Sequence, residues 1–159
     1  MIQRSTSPQV NPSEEMIRIG TLEIRFLVTG ADSNASVAVL EMTVPAGDKL
    51  VAPPHSHDAY EETIYGKEGT LTWTVDGDVI EVGPGQALCI PRGAVHQFAN
   101  HGREDAKVLV VISPAAIGPE YFRESAEVIN AAAGGPPDHV KLMAIMRRHG
   151  LTPALPPSA

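Results

Sequence analysis

Pro54-His55-Ser56-His57-Asp58-Ala59-Tyr60-Glu61-Glu62-Thr63-Ile64-Tyr65-Gly66-Lys67-Glu68-Gly69 opens the stretch that decides the fold, and Gly85-Gln86-Ala87-Leu88-Cys89-Ile90-Pro91-Arg92-Gly93-Ala94-Val95-His96-Gln97-Phe98-Ala99-Asn100 closes it. Chemically it reads as a split metal site. His55 and His57 are two apart, so on a strand they project from the same face. Glu62 follows on the next extended run, and His96 lies on a third. Three imidazoles and one carboxylate can converge on a divalent first-row ion and leave positions open for water or substrate. One histidine alone would read as an ordinary polar loop residue; three with Glu62 at this spacing do not. Glu61 competes with Glu62 for the carboxylate role. Strand parity favours Glu62, which shares a face with Ile64 and Gly66, whereas Glu61 shares one with Thr63 and Tyr65. Glu61 is then expected near the site mouth or on the outer surface.

At these residues the chain resembles the cupin superfamily. The first cupin motif is matched by His55, His57, Glu62 and Gly69, with four residues between His57 and Glu62 and Glu62 seven before Gly69. Its leading glycine is out of place: the nearest, Gly47, is eight before His55. The second motif is matched at every position by Gly85, Pro91, Gly93, His96 and Asn100, and fifteen residues separate Gly69 from Gly85. The resemblance covers about residues 20–113. It implies a single double-stranded β-helix barrel, jelly-roll-like, with His55, His57, Glu62 and His96 as ligands of a transition metal: Fe, Mn, Ni, Co, Cu or Zn. It names no reaction.

The 159 residues suit one domain with a real core. Lys plus Arg is 12 and Asp plus Glu is 19, a net charge of -7. No basic run appears, so a nucleic-acid partner is not expected. Cys89 is the only cysteine, which excludes an intrachain disulfide and suits a reducing compartment. Met1 to Glu15 carries no apolar core of a secretory signal, and no run of about 18 apolar residues exists to span a bilayer. The expectation is a cytoplasmic protein without a membrane partner.

Along the chain, residues 1–16 read as a flexible polar arm. Leu22, Ile24, Phe26 and Val28 alternate on one face, and Val37 to Val44 is a β-branched run. Leu50 to His57 leads into the site. Leu71, Trp73 and Val75 alternate with threonines, and Asp76-Gly77 signals a type I′ hairpin to Val79–Val82. Ala87–Ile90, Val95–Ala99 and Lys107–Ile112 complete the strands. Turns every 8 to 12 residues, with no helical pattern between them, argue an all-β antiparallel sandwich or barrel over residues 17–113. Residues 114–152 change character and predict two C-terminal helices. Pro119 can open the first, with Phe122, Ala126, Ile129 and Ala133 as its stripe and Gly134-Gly135 as its stop. Asp138 to His149 is the second, with Val140, Met143 and Met146 on its apolar side. Both are expected on the barrel exterior or over one end. Residues 153–159 read as a disordered tail.

His101, His139 and His149 are expected at the surface. Cys89, in an apolar run with nothing placed to lower its pKa, reads as a buried inert thiol. Arg92 is read as solvated or as guarding the cavity mouth. Trp73, Phe98, Met42 and Tyr65 are candidates for core or cavity wall. Three functions compete. The first is a dioxygenase of the quercetinase type, to which small cupins are likened, acting on a small apolar enol or phenol with Glu62 as base. The second is a non-oxidative cyclase, isomerase or lyase using the ion as Lewis acid. The third is a binding module that holds a small molecule without chemistry. Sugar-phosphate chemistry fits poorly, because it needs inward Arg or Lys and the β part offers chiefly Arg25, Lys67, Arg92 and Lys107. A homodimer is expected, since the edges of an open barrel need covering.

Overall fold

The computed structural model describes residues 10, 15–47 and 53–154. Eleven strands and two helices are found among them. The strands are β1 (Met16–Ile19), β2 (Leu22–Val28), β3 (Ala38–Val44), β4 (His55–His57), β5 (Glu61–Glu68), β6 (Leu71–Val75), β7 (Asp78–Val82), β8 (Ala87–Ile90), β9 (His96–Ala99), β10 (Ala106–Ser113) and β11 (Leu151–Pro153). The helices are α1 (Pro119–Ala131) and α2 (His139–Arg148). One sheet runs β1-β2-β3-β10-β5-β8 and the other β11-β4-β9-β6-β7, with every pairing antiparallel. This is the expected β-barrel of the jelly-roll kind, followed by two helices.

Period-two alternation builds the core. On β3, Ala38, Leu40, Met42 and Val44 point inward, and on β10 so do Ala106, Val108, Val110 and Ile112. The register sets Met42 opposite Val108 and Leu40 opposite Val110, so the buried rows coincide. Ile24 of β2 extends that row beside Met42. From the second sheet come Leu71 and Trp73, and all of these side chains are almost fully buried. The β6–β7 hairpin closes through Asp76 and Gly77 with φ of 48° and 90°, the doubly positive geometry that an Asp-Gly pair predicts.

Two glycines serve close approach. A Cβ on Gly66 would lie 2.1 Å from the Gly83 carbonyl oxygen, and one on Gly69, at φ +63°, would lie 2.5 Å from that of Asp105. Asn100 supplies a polar lock. Its Nδ2 donates to the carbonyls of Val44 and Glu104, both at 2.9 Å, and its Oδ1 accepts from Gly102 N at 2.9 Å. One buried side chain thus ties the end of β3 to the turn between β9 and β10.

Several expectations change at the ends and edges. The polar arm gives way to strand at Met16: Ile17 and Ile19 are buried against β2 while Arg18 is exposed, an alternation present in the sequence but not read there. Pro153, assigned to a disordered tail, instead ends β11, which pairs with β4; a proline fits because β11 lies at the sheet edge. Residues 155–159 and most of the arm lie outside the described residues. Helix α1 stops at Ala131, and Ala133 has a positive φ of 48° beyond it. Helix α2 is capped by Asp138, whose side chain accepts from Lys141 N. Its buried face is Leu142, Ile145 and Met146, whereas Val140 is 76% exposed. Cys89 is exposed rather than buried, because β8 is an edge strand on which only alternate side chains face the core. Tyr65 also faces outward, on the parity it shares with Glu61.

Asn100→Ala should destabilise the protein by about 2–4 kcal/mol, since one buried and one partly buried carbonyl lose their donor and one amide its acceptor. Denaturant unfolding measures it; a loss below about 0.5 kcal/mol, the level of an ordinary surface change, would refute the lock.

Candidate metal centre

The three histidines reach one point because two neighbouring strands of one sheet deliver them. His55 and His57 leave β4 on one face, as their spacing predicts, and His96 opens β9 directly opposite His55. Their ring centroids lie 4.9 Å (His55–His57), 4.8 Å (His55–His96) and 4.6 Å (His57–His96) apart. One nitrogen from each falls within 4.8 Å of the others, so the trio can hold a metal ion. Glu62 comes from β5 in the opposite sheet. Its Oε2 is 3.1 Å from His96 Nε2 and 3.6 Å from His57 Nδ1, and its side chain is only 14% exposed.

Glu61 goes elsewhere, as parity requires. It takes two hydrogen bonds from Arg92, at 2.8 Å from Nε and 3.2 Å from an Nη. Arg92 is therefore paired at the surface rather than free, and the structure brings Glu62, not Glu61, to the histidines. His101 and His139 are exposed as expected. His149 is not: it is half-buried, with Nε2 3.3 Å from a Glu124 oxygen and its ring 5.6 Å from that of Tyr121.

Backbone contacts orient the imidazoles. His55 Nδ1 lies 2.9 Å from the Pro53 carbonyl and His96 Nδ1 lies 2.9 Å from that of Ala94. A carbonyl only accepts, so each Nδ1 carries the proton and each Nε2 keeps a lone pair for a ligand role. His96 Nε2 then faces a carboxylate oxygen, and two lone pairs at that distance repel unless a proton or a cation lies between them. This donor chemistry fits a divalent ion.

The titration behaviour agrees. Burial would raise the Glu62 carboxyl, but the His96 hydrogen bond and the charges of the three imidazoles hold it below the usual carboxylate range. Burial lowers His55, helped by the charge of His96. Burial also carries His57 down to about 3, against the pull of Glu62. His96 alone is raised: burial opposes its charge, but the hydrogen bond and charge of Glu62 and the Ala94 carbonyl outweigh that.

Strand β4 has only three residues, and its neighbours hold it. The Gly93 amide donates to the His57 carbonyl at 2.8 Å, fixing the Pro91–Gly93 turn. On the other side β11 sets Leu151 against His57 and Pro153 against His55, and Ala154 N donates to the Pro54 carbonyl at 2.7 Å. Sequence reading missed this support; the only signal was a short Leu-Thr-Pro run after Gly150.

Above the cluster opens a cavity of about 110 Å³. Met42, Trp73 and Phe98, which the sequence left between core and cavity wall, line it with Ile24, Leu40 and Val110. No Lys or Arg lines it among the described residues. Tyr60 stacks on His57 with ring centroids 4.4 Å apart. Burial keeps its phenol protonated far above the ordinary range. The Tyr60 hydroxyl, the Trp73 indole nitrogen and the Ser125 hydroxyl are buried with no hydrogen-bond partner among the described residues.

Two predictions follow from this geometry. His96→Ala and Glu62→Gln should each weaken metal binding by at least about tenfold, with Glu61→Gln near wild type; a Glu61 change that empties the site while Glu62→Gln spares it would reverse the assignment. The second concerns pH. His55 and His57 have lowered folded pKa values, so below the ordinary value of 6.5 the unfolded chain binds protons that the fold refuses. The Glu62 contribution, from a depressed pKa, holds above 4.5 and is lost as pH falls through its folded value. The His96 contribution, from a raised pKa, is full below 6.5 and lost only as pH rises through its folded value. Every change below 6.5 is therefore a loss, and the melting temperature of metal-free protein should fall from pH 6.5 downward. Metal-induced stabilisation should shrink over the same range, because His96 must shed its proton to bind. A melting temperature flat between pH 6.5 and about 4 would contradict both signs.

Comparison with known proteins agrees with the geometry. Residues 40–112 match the family model of the cupin domain. The chain is 29% identical over 99 residues to quercetin 2,3-dioxygenase of Bacillus subtilis, covering 62% of this chain and 28% of that protein. It is 32% identical over 83 residues to the tetracenomycin polyketide synthase protein TcmJ of Streptomyces glaucescens, covering 52% of this chain and 56% of that one. The chain thus spans less than two thirds of the length of either relative. The structure of KdgF from Halomonas sp. superposes with a TM-score of 0.55 at 17% identity, over 64% of this chain and 86% of that one, a likeness of fold alone. No helix among the described residues is long and apolar enough to cross a membrane. Strand order, the histidine cluster faced by Glu62 from the other sheet, and the match over residues 40–112 converge: the chain belongs to the cupin family.

Proposed function

We propose that this cupin is a metal-dependent dioxygenase acting on a small, largely apolar enol or phenol. One observation carries the reading: a buried cluster of three histidines and one carboxylate under a cavity whose described lining includes no Lys or Arg. His55, His57, Glu62 and His96 would hold the ion, which when bound supplies Lewis acidity and, if redox-active, electron transfer to O2.

The chain's own residues do the rest. Glu62, ionised at neutral pH because its pKa is depressed, can accept the proton that an enol or phenol loses on binding. Trp73, Phe98 and Met42 offer apolar surface to the body of the substrate and keep competing water out. A sugar phosphate would find no guanidinium or ammonium on the described wall to balance its charge. The likeness to a quercetin dioxygenase favours the same class.

A second reading is kept because of the likeness to TcmJ, named as a polyketide synthase protein. Polyketide chains are rich in enolisable 1,3-dicarbonyls, which the same site could hold for a cyclisation or isomerisation without O2.

Oxygen uptake by metal-loaded protein, with catechols, 1,3-diketones, flavonols and sugar phosphates as candidates, separates the two. Uptake is expected with one of the enols or phenols and not with the sugar phosphates. Turnover that persists under strict anaerobiosis would sink the oxygenase reading and favour the second.

A further inference from the structure

The C-terminal part of the chain, which lies outside the motif-bearing residues, forms one wall of the cavity. Tyr121, Phe122, Ser125 and Ile129 of α1, Leu142 of α2 and Leu151 of β11 all line it. Three attachments hold this wall. Asn130 of α1 accepts from Gly20 N at 2.7 Å and donates to the Arg18 carbonyl at 2.8 Å, clamping the helix to β1. Arg123 pairs with Glu15. Strand β11 is hydrogen-bonded to β4.

The space left is small. A cavity of about 150 Å³ lined by apolar side chains accommodates benzene, and this one measures about 110 Å³. Phe122 stands where the wall meets the barrel. It is half-buried and lines the cavity, its ring 5.6 Å from Phe26 of β2 and 4.9 Å from Tyr121. That aromatic row spans the seam between α1 and the first sheet.

We propose that the C-terminal helices act as a size filter, with Phe122 as the specificity-determining residue, and restrict the ligand to a single six-membered ring or its open-chain equivalent. This deepens the functional reading above and rests on it only for the enol or phenol character of the ligand. The size limit itself comes from the cavity and its attachments. Flavonols and fused-ring phenols are then excluded, and monocyclic phenols and short 1,3-diketones are admitted.

The test uses the full chain, both metal-free and cobalt-loaded, with phenol and 1-naphthol as probes in calorimetry. The larger probe has more apolar area, so without a steric limit it binds more tightly. Wild type should instead bind 1-naphthol about tenfold more weakly than phenol, as a pocket short of space discriminates. Phe122→Ala should reverse that order. Phe122→Leu, a milder change, should give an intermediate ratio and decides the matter if the alanine variant does not fold. Wild-type protein that binds 1-naphthol as well as phenol, that binds no phenol, or whose ratio neither variant moves would overturn the size filter. The metal-free measurements decide it independently of the metal. The cobalt visible spectrum tests the functional reading separately: if neither phenol perturbs it, that reading fails whatever the size ratio.

Discussion

The Glu62 carboxylate, held among three imidazoles in an otherwise apolar barrel, is the constraint on which the rest of the site depends. A buried charge is costly unless opposite charge and hydrogen bonds compensate it. Here the compensation comes across the barrel, from His96 at 3.1 Å and His57 at 3.6 Å. The two sheets must therefore meet at one fixed spacing. The inward rows of β3 and β10 provide the packing that sets this spacing, and Asn100 locks the chain where β9 hands over to β10.

The same cluster explains why one histidine titrates unlike the others. His55 and His57 are pushed toward the neutral form by burial, whereas Glu62 and the Ala94 carbonyl favour a charged His96. A proton on His96 and a divalent ion in the cluster are alternative answers to one electrostatic demand. Any metal held by the cluster would therefore compete with the proton on that ring.

The C-terminal extension acts on the site from outside the matched cupin residues. Strand β11 flanks the three-residue strand that carries His55 and His57, and α1 and α2 narrow the space above it.

Much of this was legible in the sequence. Local spacing determined the strands, the Asp76-Gly77 hairpin and the shared face of His55 and His57, because period-two geometry is a property of the chain itself. Parity, with its spacing of seven from Gly69, separated Glu62 from Glu61. Tertiary structure decided what depends on neighbours. An apolar run cannot announce that its strand is an edge, so Cys89 was read as buried and is exposed. Val140 looked like part of an apolar helix face until packing put Leu142, Ile145 and Met146 inward. The strand at Leu151–Pro153 exists only because β4 offers it a free edge almost a hundred residues away in sequence. Phe122 became a cavity residue only when α1 settled against β1 and the barrel mouth. Short-range periodicity is written residue by residue, whereas partners distant in sequence are chosen by the folded whole.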